Sequence, residues 1–259
     1  MKDATILELQ RIGKDFKADD GQHVQALRDV SMTLVQGECV GIVGESGCGK
    51  STLAKLICHL IKASCGKLLY HGVDVTSLHG KGLRAYYKRV QMIFQDPLST
   101  FSPRMKMGTY LMEPFINFKL MDRRKASGYV RELLGLVGLA PETMTKYPNE
   151  LSGGQLQRVV VARAIGIEPD IIICDECTSA LDVSVQEQII QLLSRLREQS
   201  GFSCIFITHD LALAENFCDR IYVMNLGEIV EIVDCENLVR DAQHPYTRML
   251  LDSVFSVQS

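Results

Sequence analysis

Nine consecutive residues constrain this chain more than any others: Gly44, Glu45, Ser46, Gly47, Cys48, Gly49, Lys50, Ser51 and Thr52. Their spacing is G-x-x-x-x-G-K-[ST]. The stretch before them, "CVGIVG" from Cys39 to Gly44, is a short apolar run that stops at glycine, as buried parallel strands do. The stretch after them, "KSTLAKLICHLI", has helical spacing. A strand, a glycine-rich loop and a helix in that order wrap backbone N–H groups around an anion, and the helix N-terminus adds its partial positive charge. Lys50 supplies a point charge for β and γ phosphates, and Ser51 a hydroxyl ligand for Mg²⁺. A glycine-rich turn with a chance lysine would not carry both correct flanks.

A second stretch, "ICDECTSALD" from Ile173 to Asp182, reads in two ways. Cys174 and Cys177 form a C-x-x-C, the spacing of a redox pair or half a zinc site. Alternatively, an apolar strand ends in Asp175 and Glu176. A P-loop nucleotide hydrolase needs a carboxylate at another strand end to hold Mg²⁺, and a group that orients the attacking water. Asp175 and Glu176 supply both. Cys174 then behaves as a small hydrophobe in a buried strand. Zinc would need two further ligands, and no second close Cys or Cys/His pair offers them.

At 259 residues, with 46% hydrophobic and 23% charged residues, the chain can bury a full core. A net charge of −3 leaves no basic footprint for nucleic acid. The nine cysteines are scattered and odd in number, which fits a reducing compartment better than a disulfide framework. The start, "MKDATILELQ", lacks a signal-peptide core, and no apolar run approaches the roughly 18 residues that span a bilayer. The expectation is a soluble chain, or one that sits on a membrane through partners. Strand character appears in "ATILELQRI", in "ALRDVSMTLVQGE" with a turn at Gly37, and in "RVQMIFQDP", which breaks at Pro97. A turn is expected at Asp20 to Val24. "DIIICDE" and "SCIFITHD" read as buried strands, and "RIYVMNLGEIVEI" as two strands around a turn. "SVQEQIIQLLSRLREQ" and "LALAENFC" read as helices. Alternating strands and helices predict a parallel sheet covered on both faces, with a helical insertion from about 98 to 150.

"LSGGQ", Leu151 to Gln155, precedes the helical "QLQRVVVARAIG". Ser152 is placed to cap that helix, and the N–H groups of Gly153 and Gly154 make a second phosphate-binding end. One nucleotide already fills the first loop, so this end points to a second nucleotide or a second subunit. With these motifs, Gln95 in "FQDP", "SALD" at Ser179 to Asp182 and "THD" with His209, the chain resembles the nucleotide-binding subunits of ATP-binding cassette (ABC) transporters over nearly its whole length.

The resemblance implies an α/β P-loop, RecA-like ATPase core with a mainly parallel sheet, an N-terminal antiparallel β subdomain and an inserted α-helical subdomain. Residues 1–95 and 156–235 would form the core, 96–155 the helical subdomain and 236–259 a short extension. It implies ATP and Mg²⁺ as ligands. Phe16 would stack on adenine, although its spacing also suits a core phenylalanine. Gln95 would touch Mg²⁺, beside Ser51 and Asp175. Glu176 would polarise the attacking water, and His209 would contact the γ-phosphate. Asp182 would cross to a second cassette, although an aspartate there also suits a helix cap. Such cassettes pack head to tail, each signature closing on the other's ATP, and drive membrane partners. The family usually has proline where this chain has Cys177, which predicts altered turn rigidity and retained activity.

"FQDPLSTFSPRM" and "HPYT" (His244 to Thr247) resemble the oligopeptide, dipeptide and nickel importers, with "FSPR" where "LNPR" is usual. The short ending and the lack of a late cysteine cluster favour nickel or a metal chelate as cargo, with short peptides as the alternative. Integral permease subunits, a second and different ATPase subunit, an extracytoplasmic solute-binding protein and a peripheral place on the cytoplasmic membrane face are implied with it. A DNA-repair ATPase would need long heptad arms between the P-loop and "LSGGQ", and about 100 residues without sustained heptads stand there. A translation factor of this type usually carries two cassettes, and an exporter normally fuses its membrane spans.

Overall fold

The computed structural model describes residues 4–17, 23–96 and 101–256, with 253–256 as backbone alone. Most of the turn expected at Asp20 to Val24, and the break at Pro97, lie outside the described residues. The chain forms two compact units, one of Met1–Ala85 with Ser203–Ser259 and one of Tyr86–Phe202.

In the first unit, β1 (Thr5–Lys17) and β2 (His23–Val35) pair antiparallel, with Ile12 opposite Val30. A turn at Gly37 leads to β3 (Cys39–Val43), buried at all five positions, and then to α1 (Lys50–Ile57). Burying each Val or Ile side chain of such a strand contributes roughly 1.5–3 kcal/mol. β4 (Cys65–Tyr70) pairs with the other edge of β1, and β5 (Val73–Asp74) pairs with β4. This four-stranded antiparallel sheet matches the expected N-terminal β subdomain. α2 (Gly80–Arg89) follows.

In the second unit, β6 (Val90–Ile93) is followed by α3 (Met107–Asn117), α4 (Arg123–Leu136) and α5 (Gly153–Ile165). Asp122 caps α4 by accepting from the Lys125 N–H at 2.9 Å. Phe115 of α3 meets Tyr129 of α4 edge-on at 5.3 Å between centroids. The expected helical stretch is therefore present. β7 (Ile171–Asp175) pairs parallel with β6, and α6 (Val183–Ser200) follows.

The chain then returns to the first unit. β8 (Ser203–Thr208) and β9 (Arg220–Asn225) flank β3, both parallel to it. α7 (Leu211–Phe217) connects them, and β10 (Glu228–Asp234) pairs antiparallel with β9. α8 (Leu238–Asp241) and α9 (Pro245–Ser256) complete it. Parallel pairing around β3 fits three near-continuous apolar strands that are buried on both faces. The sequence reading assigned no element to 65–88. β4 escapes it because half its residues are exposed and Gly66 interrupts the pattern.

Candidate functional site

The register of the parallel strands gathers the chemistry at strand ends. In the first unit, Val43 lies opposite Thr208, so the loop that begins at Gly44 and the residue His209 leave neighbouring strands side by side. Thr208 Oγ1 accepts from the Asp210 N–H at 3.0 Å, and Asp210 Oδ1 accepts from the Leu213 N–H at 3.0 Å. These two bonds fix the turn and leave the His209 side chain on the surface. Phe16, opposite Val24 near the end of β1, is 41% exposed, with the Lys14 ammonium 4.9 Å from its ring centroid. It is not a core phenylalanine.

The loop itself explains its residue types. At Gly44 a Cβ would overlap the Met224 carbonyl oxygen and lie 2.9 Å from Cys48 Sγ. Gly49 stands at the N-cap of α1 with φ 112°, and no side chain caps this helix. A helix N-terminus that follows such a glycine-rich loop is an anion-binding end. The Gly227 N–H holds the Cys48 carbonyl at 2.9 Å. Lys50 is only 4% exposed. Its ammonium donates to the carbonyls of Gly44 at 2.7 Å and Glu45 at 2.8 Å. Burial pushes the Cys48 thiol up despite Lys50 nearby. Ser51 and Thr52 are half-buried in the first turn of the helix, while Glu45, Ser46 and Gly47 are exposed.

In the second unit, Ile93 pairs with Cys174, which brings Gln95 to the end of β7. The Gln95 Nε2 donates to Glu176 Oε2 at 2.9 Å. Asp175 is 6% exposed at the end of the strand. Glu176 follows with φ 47°, a left-handed conformation that a residue with a Cβ adopts at a cost of order 1–3 kcal/mol. The Ser179 N–H and hydroxyl both donate to the Glu176 carbonyl, at 3.1 and 2.9 Å. Such outliers cluster at working sites. Cys174 is fully buried in β7, and Cys177 is buried beyond it, and neither is in a disulfide.

Ser152 caps α5 as expected, and the cap is reciprocal. Its Oγ accepts from the Gln155 N–H at 3.3 Å, while Gln155 Oε1 accepts from the Ser152 N–H at 3.0 Å. This is a capping box. Gly153 and Gly154 begin the helix, and a Cβ on Gly154 would come within 2.6 Å of Val185 Cγ1. The missing side chain lets the signature lie against the start of α6. Asp182 stands at the N-cap position of α6, yet its carboxylate takes no capping bond. The residues that the sequence singled out are thus brought together within each unit: Gly44–Thr52 with His209 in one, and Gln95 with Asp175 and Glu176, and the signature with the start of α6, in the other. The sequence reading gave no chemical role to Tyr246, which reaches the P-loop; only its place in "HPYT" marked it.

Three comparisons bear on these arrangements. Residues 27–179 match the family model described as ABC transporter. A probable peptide ABC transporter ATP-binding protein, y4tS of Sinorhizobium fredii, is 44% identical over 97% of this chain and 72% of its own length. The oligopeptide transport ATP-binding protein OppF of Haemophilus influenzae is 42% identical over 96% of this chain and 78% of its own. Among solved structures, the ATP-binding cassette MJ0796 bound to ADP and Pi as a dimer superposes with a TM-score of 0.80 at 30% identity. That match covers 89% of this chain and 99% of the other. Among the described residues, no helix is long and apolar enough to cross a membrane.

Proposed function

The chain belongs to the ABC transporter family of ATP-binding subunits, and from that premise we propose that it hydrolyses ATP to power import of short peptides. The observation that carries the reading is the loop of Gly44–Thr52, where glycines admit the close backbone turn and the Lys50 ammonium sits on the carbonyls of Gly44 and Glu45. An ammonium held at this spot is a point charge for the β and γ phosphates of ATP. Glu176 orients the attacking water, with Gln95 fixing its carboxylate. His209 contacts the γ-phosphate, and Phe16 stacks on adenine. Ser51, Gln95 and Asp175 offer a hydroxyl, an amide oxygen and a carboxylate, the hard oxygen donors that Mg²⁺ takes. Gln95 spends its N–H on Glu176, which leaves the amide oxygen for the metal. Bound there, Mg²⁺ would neutralise charge on the phosphates.

The Leu151–Gln155 signature and Asp182 serve the ATP of a second cassette, packed head to tail and related but not identical to this chain. The inserted helical subdomain passes its motion to integral permease subunits, on the cytoplasmic face of the membrane, and a solute-binding protein delivers the cargo. The peptide cargo replaces the nickel expected from the sequence. The relatives that match over almost the whole chain carry peptide and oligopeptide names, and the nickel preference had rested on how the chain ends. Uptake of labelled dipeptide beside labelled nickel, in a strain lacking this chain, tests the reading. Lost dipeptide uptake with nickel uptake intact is expected; the reverse pattern overturns the cargo, and unchanged uptake of both overturns the importer.

A further inference from the structure

Tyr246 is the second residue of α9. Its hydroxyl accepts a hydrogen bond from the Glu45 N–H at 2.9 Å. That N–H and the Gly44 carbonyl belong to one peptide unit, and the same carbonyl accepts from Lys50 Nζ at 2.7 Å. A single planar amide therefore has a tyrosine hydroxyl on one edge and the P-loop ammonium on the other. Hydrogen bonds through opposite ends of one amide polarise it and reinforce each other. Turning that amide over would aim its N–H at the ammonium. The tyrosine hydroxyl opposes the turn.

Tyr246 is itself anchored. On β10, Glu231 Oε1 accepts from the N–H groups of Gln243 at 2.7 Å and His244 at 3.0 Å. His244 Nδ1 accepts from the Tyr246 N–H at 3.2 Å. Thr247 is fully buried. Burial alone would raise the Glu231 carboxyl, but Thr247, the two amides and His244 outweigh it and hold it below its usual value. His244 and Tyr246 of "HPYT" thus link Glu231 to the P-loop through hydrogen bonds. Burial pushes the Tyr246 phenol up, so the hydroxyl stays protonated at ordinary pH.

We propose that Tyr246 is a positioning residue for ATP hydrolysis, which sets the Gly44–Glu45 peptide and through it the resting place of the Lys50 ammonium. This rests on the reading of Gly44–Thr52 as the loop that binds the ATP phosphates. The bond lies near solvent, so water partly replaces a lost hydroxyl, and the effect is that of one net hydrogen bond. That corresponds to roughly a two- to tenfold change.

Tyr246→Phe removes the hydroxyl alone. Steady-state ATP hydrolysis by the full chain, assembled with its membrane partners, is measured beside the thermal midpoint of the purified chain. The expected result is kcat lowered about two- to tenfold at an unchanged midpoint, since Lys50 faces charge that develops in the transition state. Values of kcat and KM both within a factor of two of the unaltered chain overturn the proposal. So does a loss of kcat that comes with a lowered midpoint, which marks a merely structural role. Absence of hydrolysis by the unaltered assembly would instead sink the reading of the loop.

Discussion

Two glycines of the same loop separate close packing from backbone conformation. At Gly44 the obstacle to a side chain is the backbone of β9: an alanine Cβ would overlap the Met224 carbonyl oxygen and sit 3.1 Å from the Met224 carbonyl carbon. A strand carbonyl has no rotamer to escape into. Overpacking typically costs about 1–3 kcal/mol, and a backbone obstacle places Gly44→Ala at the upper end. At Gly47 the obstacle is different. It has φ 84° and nothing within 4 Å of a built Cβ. A left-handed alanine costs roughly 1–2 kcal/mol, offset by about 0.4–1 kcal/mol from the less flexible unfolded chain. The net cost of Gly47→Ala is about 0–1.6 kcal/mol. For a domain near this size each kcal/mol moves the thermal midpoint about 2–4 °C. Gly44→Ala should therefore lower the midpoint by about 6–12 °C and Gly47→Ala by no more than about 6 °C. Thermal scans by circular dichroism on the purified chain read both. Equal shifts, or a Gly44→Ala chain that melts with the unaltered one, would refute the packing argument.

Glu176→Gln should lower ATP hydrolysis about 10²–10⁴-fold while retaining ATP binding, measured by turnover and by equilibrium binding of labelled ATP. Lys50→Ala should lose a similar factor of roughly 10²–10³ in turnover, because the charge facing the phosphates is gone. Ser152→Ala removes one half of the α5 capping box and should cost about 1 kcal/mol in a denaturant titration. Cys174→Val should leave both turnover and thermal midpoint near those of the unaltered chain; lost activity or lost bound metal would restore the redox or zinc reading.

The parallel core was legible because its strands are short, apolar and closed by glycine or acid, and such runs have few other uses. β3, β7 and β8 all stand where the apolar runs predict them. β4 and β5 were not, since their residues are mostly exposed and a strand of two residues carries no period. The chemistry of Lys50 and the cap at Ser152 follow from local spacing, so sequence alone reaches them. The Gln95–Glu176 bond spans 81 positions and depends on strand order, which no local pattern encodes. The Tyr246–Glu45 bond spans 201 positions and depends on where α9 lands, so the motif around it was visible while its contact was not.

The C-x-x-C of the opening alternatives is, in the fold, a consequence of two separate demands. Cys174 fills a fully buried strand position next to Ile93, where any small apolar side chain would serve. Cys177 fills the buried side of a turn whose shape is set at Glu176. Proline, which the family favours at this position, would stiffen that turn through its ring. Here the turn is fastened instead by Ser179, whose N–H and hydroxyl both close on the Glu176 carbonyl. Two hydrogen bonds to one carbonyl hold Glu176 in its left-handed conformation, and Gln95 holds the other end of the same residue. The carboxylate is thereby fixed from its backbone and from its tip, which is what orienting a water requires.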